Sequence, residues 1–140
     1  MRNFRLDQNF LRSPKLALFL IGHSNIKKRD LVIDIGAGSG VITSALAKRC
    51  KKVIAVEKDA ETAKRLRENL ARQNISNVEI FEGDFREMKL PDEPYKVFAN
   101  IPFHLSADIV RKLTSDDEMH APRSIYLIVQ KQFAQKLVPS

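Results

Sequence analysis

Hydrophobic positions along the chain form short apolar runs that alternate with stripes at helical spacing. Leu31 to Ile35 is an apolar run stopped by glycines, the pattern of a buried strand, and Val53 to Val56 repeats it. Val78 to Phe81, Tyr95 to Ala99 and Ile125 to Val129 supply three more strands. Between them the period lengthens. Ile42, Ala45, Leu46 and Arg49 share a face over Val41 to Arg49. Asp59 can cap the next helix, where Ala63, Leu66 and Leu70 align while Glu61–Arg65 and Glu68–Arg72 form i,i+4 pairs. Ser106 to Leu113 reads as a helix with Ile109, Val110 and Leu113 inward. An earlier helix opens at Ser13-Pro14, with Pro at its first position, and ends at Gly22. Strands separated by such links pair in parallel through right-handed crossovers. The expected fold is therefore α/β, a doubly wound and mainly parallel sheet in one domain, with no internal repeat or linker.

In such sheets ligands sit beyond the carboxyl ends of the strands, so the residues found there carry the most weight. Gly36-Ala-Gly-Ser-Gly40 follows the first strand, Glu57 the second, Gly83-Asp84 the third and Asn100-Ile-Pro-Phe103 the fourth. Three of the chain's five glycines lie in that first segment. A ligand could then approach the backbone and the helix start behind it; the plain alternative is a tight strand-to-helix turn. The phosphate loop G-x-x-x-x-G-K-[ST] does not occur. The dinucleotide pattern G-x-G-x-x-G fails because its third glycine falls on Val41. What stands is G-x-G-x-G with no Lys or Arg inside it, which favours a nucleoside without phosphates, S-adenosylmethionine being the obvious one.

Glu57 is placed to accept from both ribose hydroxyls, or is simply a solvated carboxylate. Asp84 can accept from an adenine amino group beside the apolar wall of Phe85, or is a turn aspartate. Asp34, inside the first strand, would orient the loop amides or a ligand's amino group. Asn100-Ile-Pro-Phe103 has chemical content of its own. An adenine amine is a poor nucleophile, because its lone pair is delocalised into the ring. Accepting both of its N–H groups, through the Asn100 side-chain oxygen and a carbonyl such as that of Ile101, draws the nitrogen toward tetrahedral geometry. Pro102 stiffens that backbone, and Phe103 offers a face for a flipped base, worth ~1–3 kcal/mol. The alternative is an ordinary strand-to-helix turn with Phe103 in the core.

Composition narrows the class. With 140 residues, 44% hydrophobic and 29% charged, the chain is that of a soluble globular domain, and no run is long enough to span a membrane. Its single cysteine excludes an internal disulfide and suits a reducing, cytoplasmic setting. Cys50 receives no reactive role, and His23, His104 and His120 show no metal-ligand spacing. Net charge is +7, of which residues 1–30 hold +5: the seven cations Arg2, Arg5, Arg12, Lys15 and Lys27 to Arg29 against Asp7 and Asp30. That asymmetry points to a polyanion met by the N-terminal side.

Five segments occur in one order: Gln8-Asn9-Phe10-Leu11, Asp34-Ile-Gly-Ala-Gly-Ser-Gly40, Val56-Glu-Lys-Asp59, Glu82-Gly-Asp-Phe85 and Asn100-Ile-Pro-Phe-His-Leu-Ser106. Together they resemble the rRNA adenine N6-methyltransferases, most closely the erythromycin-resistance branch acting on 23S rRNA, with the small-subunit branch as alternative. The resemblance implies a Rossmann-like class I methyltransferase fold and transfer of methyl groups from S-adenosylmethionine to adenine N6. It implies that Gln8 and Asn9 meet the methionine end of the cofactor, with Leu11 also among the cofactor-binding residues. Gly36, Gly38 and Gly40 would line its backbone path, Glu57 its ribose, and Asp84 beside Phe85 its adenine, with Lys58 a further cofactor-binding residue. Asn100, Ile101, Pro102 and Phe103 would hold the target base, with Asn100 bordering the cofactor too. Phe103 stands where Tyr is frequent in the family, so stacking survives and a hydroxyl is lost. The family pattern continues into further strands and a helical RNA-binding domain. Residues 1–140 are thus expected to be the cofactor-binding portion, monomeric and weak in RNA binding and turnover alone.

Other classes remain open on the residues alone. A module that binds cofactor or RNA without catalysis is one, and a nicotinamide oxidoreductase, disfavoured by Val41, is another. A DNA amino-methyltransferase would share the glycine loop and the Asn-x-Pro-aromatic segment.

Overall fold

The computed structural model describes residues 14–114 and 120–130. Helix α1 (Pro14–Gly22) starts at the proline and buries Ala17 and Ile21. Strand β1 (Leu31–Ile35) is buried at every position, as a strand covered on both faces must be. Helix α2 (Val41–Ala47) starts at Gly40, whose φ of 97° is left-handed, and buries every residue from Ile42 to Ala47. It stops short of the expected Arg49. Arg49 instead turns its Nε to the Ile26 carbonyl at 2.7 Å. Strand β2 (Lys52–Glu57) leads to helix α3 (Ala60–Arg72), where the Asp59 carboxylate accepts from the Thr62 N–H at 2.8 Å. Strand β3 (Val78–Glu82) is followed by one 3₁₀ turn (Phe85–Glu87). Strand β4 (Lys96–Pro102) runs directly into helix α4 (Phe103–Leu113), and strand β5 (Ser124–Gln130) follows.

All four strand pairings are parallel, in the order β3-β2-β1-β4-β5. The expected doubly wound sheet is therefore what forms. Two apolar layers cover it. Side chains of α1, α2 and α3 pack with Val32, Val53, Ala55 and Phe98 on one face. Phe85, Met88, Ile109 and Leu113 pack with Ile33, Val56, Val97 and Ala99 on the other. Period-two alternation along β1 and β4 sends neighbouring residues to opposite layers. Cys50 is buried just past α2, its thiol facing the Lys52 carbonyl at 3.4 Å, and burial pushes its pKa up to about 11. No described helix is long and apolar enough to cross a membrane.

Strand order reverses between β1 and β4, and their register decides what opens there. Pairing of β1 with β4 ends at Ile35↔Ala99, whereas β4 continues beside β5 to Pro102↔Gln130. Asn100, Ile101 and Pro102 thus overhang β1 on one side while the β5 ladder holds the other. Asn100, Ile101 and Pro102, expected to follow the strand, are its last three residues. The proline is tolerated because that edge has no β1 partner left to need an N–H.

Candidate active site

A single cleft lies over this overhang. Gly36, Glu57, Lys58, Asp84, Phe85, Asn100, Ile101 and Pro102 line it, together with Ile35, Val56, Gly83, Arg86, Leu105, Asp108 and Ile109. Eight residues singled out from sequence, spread over four strand ends, are thus brought together. Gln8, Asn9 and Leu11 lie outside the described residues.

Loops after the first three strands are tied at Glu57. One carboxylate oxygen accepts from the Gly38 N–H at 2.9 Å, the other from the Asp59 N–H at 3.0 Å, and the Glu57 carbonyl accepts from the Gly83 N–H at 2.9 Å. Each carboxylate oxygen keeps a further lone pair for a ligand hydroxyl. Glu57→Ala should weaken binding of S-adenosylhomocysteine by about 1.5–3 kcal/mol, the size of a hydrogen bond to a charged group. Calorimetry checks this, and affinity equal to that of the parent chain would take Glu57 out of the ribose site.

The three loop glycines have different duties. A Cβ on Gly36 would stand 2.3 Å from the Asn100 carbonyl oxygen, so this glycine exists for close approach to β4. A Cβ on Gly40 would meet Leu66 of α3 at 2.6 Å, and Gly40 borders a separate groove with Pro14, Leu18 and Ser39. Gly38, with φ +57°, has open space around it. Of the three, only Gly36 lines the cleft.

Asp84 caps the 3₁₀ turn by accepting from the Arg86 N–H at 2.8 Å, and its second oxygen pairs with the Arg86 guanidinium at 2.7 Å. Those bonds hold its carboxyl well below the usual carboxylate range, so it remains an acceptor at any physiological pH. Phe85 behind it is buried. Lys112 of α4 donates to the Phe85 and Met88 carbonyls, both at 2.6 Å, with its ammonium 4.8 Å from the Phe85 ring centre. Arg86 also reaches Asp108 of α4 at 3.8 Å. Helix α4 therefore starts where β4 ends, at Phe103, and braces the turn that carries Asp84. Arg86, Asp108 and Lys112 were not singled out from the sequence. Only Arg86, two residues from Asp84, offered a local signal.

Phe103 is 66% exposed, which removes the core alternative for this ring. It is the first residue of α4 and does not line the cleft itself.

Asp34 does not orient the loop amides. The Gly38 amide goes to Glu57, while Asp34 is buried with one oxygen accepting from the Thr43 hydroxyl at 2.5 Å. Its other oxygen has no partner among the described residues. Burial, with some help from the charge of Glu57 and against the Thr43 hydrogen bond, pushes the pKa up to about 7. The sign follows from linkage: between the unfolded value near 4 and about 7 the folded chain binds the extra proton, so stability falls as pH rises through that window. Asp34→Asn should abolish this slope, leaving the melting temperature of the variant flatter than that of the parent between about pH 4 and 7. Parallel melting curves would show that Asp34 is already ionised at low pH.

The family model described as ribosomal RNA adenine dimethylase matches residues 1–140. The chain belongs to this family. It is 39% identical over 136 residues to a probable ribosomal RNA small subunit methyltransferase A of Thermococcus sibiricus, covering 97% of this chain and 47% of that protein. It is 37% identical over 136 residues to an rRNA adenine N-6-methyltransferase of Enterococcus faecalis, covering 96% and 54%. Among solved structures, the 23S rRNA methyltransferase ErmE superposes with a TM-score of 0.73 at 28% identity, over 96% of this chain and 51% of that one. A dimethyladenosine transferase from Plasmodium falciparum gives 0.73 and 28% over 92% and 46%. This member of the dimethylase family spans about half the length of the curated relatives it matches. The family's methyl donor is S-adenosylmethionine.

Proposed function

We propose that residues 1–140 are the cofactor-binding and base-holding part of an S-adenosylmethionine-dependent rRNA adenine N6-methyltransferase. The observation that carries this reading is the convergence of Gly36, Glu57, Asp84 and Asn100 on one cleft at the β1/β4 switch point. The lining suits a nucleoside without phosphates. Its carboxylates are Glu57, Asp84 and Asp108, and of its two cations Arg86 already serves Asp84 and Asp108.

S-adenosylmethionine supplies a methyl group made electrophilic by the sulfonium to which it is attached. Glu57 would hold the ribose hydroxyls, Asp84 the adenine amino group, and Phe85 with Ile101 the apolar faces of the ring. Gly36 leaves the floor between them bare. Lys58, Gln8, Asn9 and Leu11 complete the cofactor contacts by the family pattern, with Gly38 and Gly40 shaping the loop from behind. Asn100 and the Ile101 carbonyl accept the two N6 protons of the target adenine, a bond that strengthens as the nitrogen becomes tetrahedral. Pro102 and the β5 ladder fix that carbonyl, and Phe103 stacks on the flipped base. Positioning and electrostatics do the work, and no strong base is needed.

Within this reading the substrate is 23S rRNA, supported by the Ile-Pro-Phe-His-Leu-Ser segment and the likeness to ErmE. Methylation there would confer macrolide-type resistance. A second reading, small-subunit RNA, is favoured by the 39% identity to the Thermococcus protein. Both place a monomeric enzyme with ribosomes in the cytoplasm. Labelled methyl transfer from S-adenosylmethionine to isolated 23S and 16S rRNA, followed by mapping of the modified adenine, separates them. A folded sample that binds NAD and ignores S-adenosylhomocysteine would overturn both.

A further inference from the structure

A parallel sheet has two unlike ends, and here their charges differ. The cleft lies where the strands finish, and its carboxylates outnumber its cations. Where the strands start, exposed Lys27, Lys28, Arg29, Lys51 and Arg123 form a rim. Main-chain bonds bring these sequence-distant residues together. The Lys51 N–H donates to the Asp30 carbonyl at 3.0 Å, and the Arg123 N–H to the Tyr95 carbonyl at 2.8 Å. Arg29 and Arg123 border one concavity with Lys96 and Glu93.

Neighbouring acids are mostly taken. Asp30 pairs with Lys96 at 2.7 Å, Glu79 with Lys52 at 2.9 Å and Asp92 with His120 at 2.8 Å. None of the five rim cations has an ion pair among the described residues. A row of cations outside any ion pair, on a rigid turn and two strand starts, suits a polymer bearing one negative charge per unit.

We propose that this rim is a second contact surface for RNA phosphates, on the end of the domain opposite the cleft. The proposal rests on the RNA-methyltransferase reading and gives it a consequence for substrate form. The seven residues of β4 separate the two ends by about 20 Å at ~3.3 Å per residue. An RNA touching both must therefore span at least that distance, and a single adenosine nucleotide in the cleft never reaches the rim.

The test compares the 140-residue chain with its Lys28→Ala/Lys51→Ala/Arg123→Ala variant. Fluorescence anisotropy reads binding of a folded ribosomal RNA fragment across a salt series, and calorimetry reads binding of S-adenosylhomocysteine in the cleft. The variant should bind folded RNA at least ~10-fold more weakly, with the salt slope shallower by about 2, as the loss of three phosphate contacts requires. S-adenosylhomocysteine affinity should stay at its parental value. Parental affinity and slope in the variant would overturn the proposal, as would a parent chain that binds no folded RNA. Polyglutamate binding as tightly as RNA of equal charge would also overturn it, and assign the rim to an acidic protein. Failure of the parent to bind S-adenosylhomocysteine is read separately by calorimetry, and it removes the methyltransferase reading itself.

Discussion

Gly36→Ala is expected to lower the melting temperature by about 10 °C and to abolish tight binding of S-adenosylhomocysteine. Two costs combine. At φ +77° an alanine sits in the left-handed region, which costs roughly 1–2 kcal/mol. Its Cβ would also lie 2.3 Å from the Asn100 carbonyl oxygen, a main-chain atom of a residue paired with Ile128 of β5, so the backbone itself must shift. Forced shifts of this kind add about 1–3 kcal/mol. A total near 3–4 kcal/mol is a large part of a domain's stability, and in a chain of this size it moves the midpoint by roughly 10 °C. Gly38→Ala supplies the control. At φ +57° it carries the conformational cost, yet its nearest neighbour is 3.9 Å away, so it should lose only about 1–2 kcal/mol. Equal melting temperatures for the two variants would mean that the contact between loop and β4 is unimportant.

Asn100→Ala should reduce single-turnover methyl transfer by about 10²-fold, the usual effect of removing one preorganised hydrogen-bonding group from a reacting centre. Cofactor affinity should hardly change, because the bond to N6 grows only as the transition state is approached. Phe103→Ala should cost ~1–3 kcal/mol in holding the flipped base while leaving thermal stability intact, since the ring is 66% exposed. Phe103→Tyr should be tolerated. Loss of cofactor binding in Asn100→Ala would place that side chain in the cofactor pocket and remove the assignment to the target base.

Much of the architecture was legible because each strand is a buried apolar run and each crossover a polar-apolar stripe. β1, with all five residues buried, could hardly be read otherwise. Strand ends follow from topology, which is why Gly36, Glu57, Asp84 and Asn100 group together on the sequence alone. What escaped depends on register and long-range pairing. Pro102 reads locally as a strand breaker, and only the early end of β1 relative to β4 lets the strand continue through it. Gly40 looks like its neighbours in sequence, yet its smallness answers to Leu66 on α3. The bracing of Arg86 by Asp108, and of Phe85 by Lys112, joins residues 22 and 27 positions apart, beyond any local pattern.

The buried Cys50 has a practical use. Thiol reagents attack the thiolate, and a group with a pKa of about 11 offers almost none at neutral pH. As the chain's one native cysteine is also shielded, it need not be removed before site-specific labelling. A cysteine introduced at exposed Ser39, between two loop glycines, would react first and alone. A fluorophore there would sit on the segment that Glu57 tethers, and its anisotropy would report in real time whether that segment is already still before a ligand arrives or stiffens only afterwards.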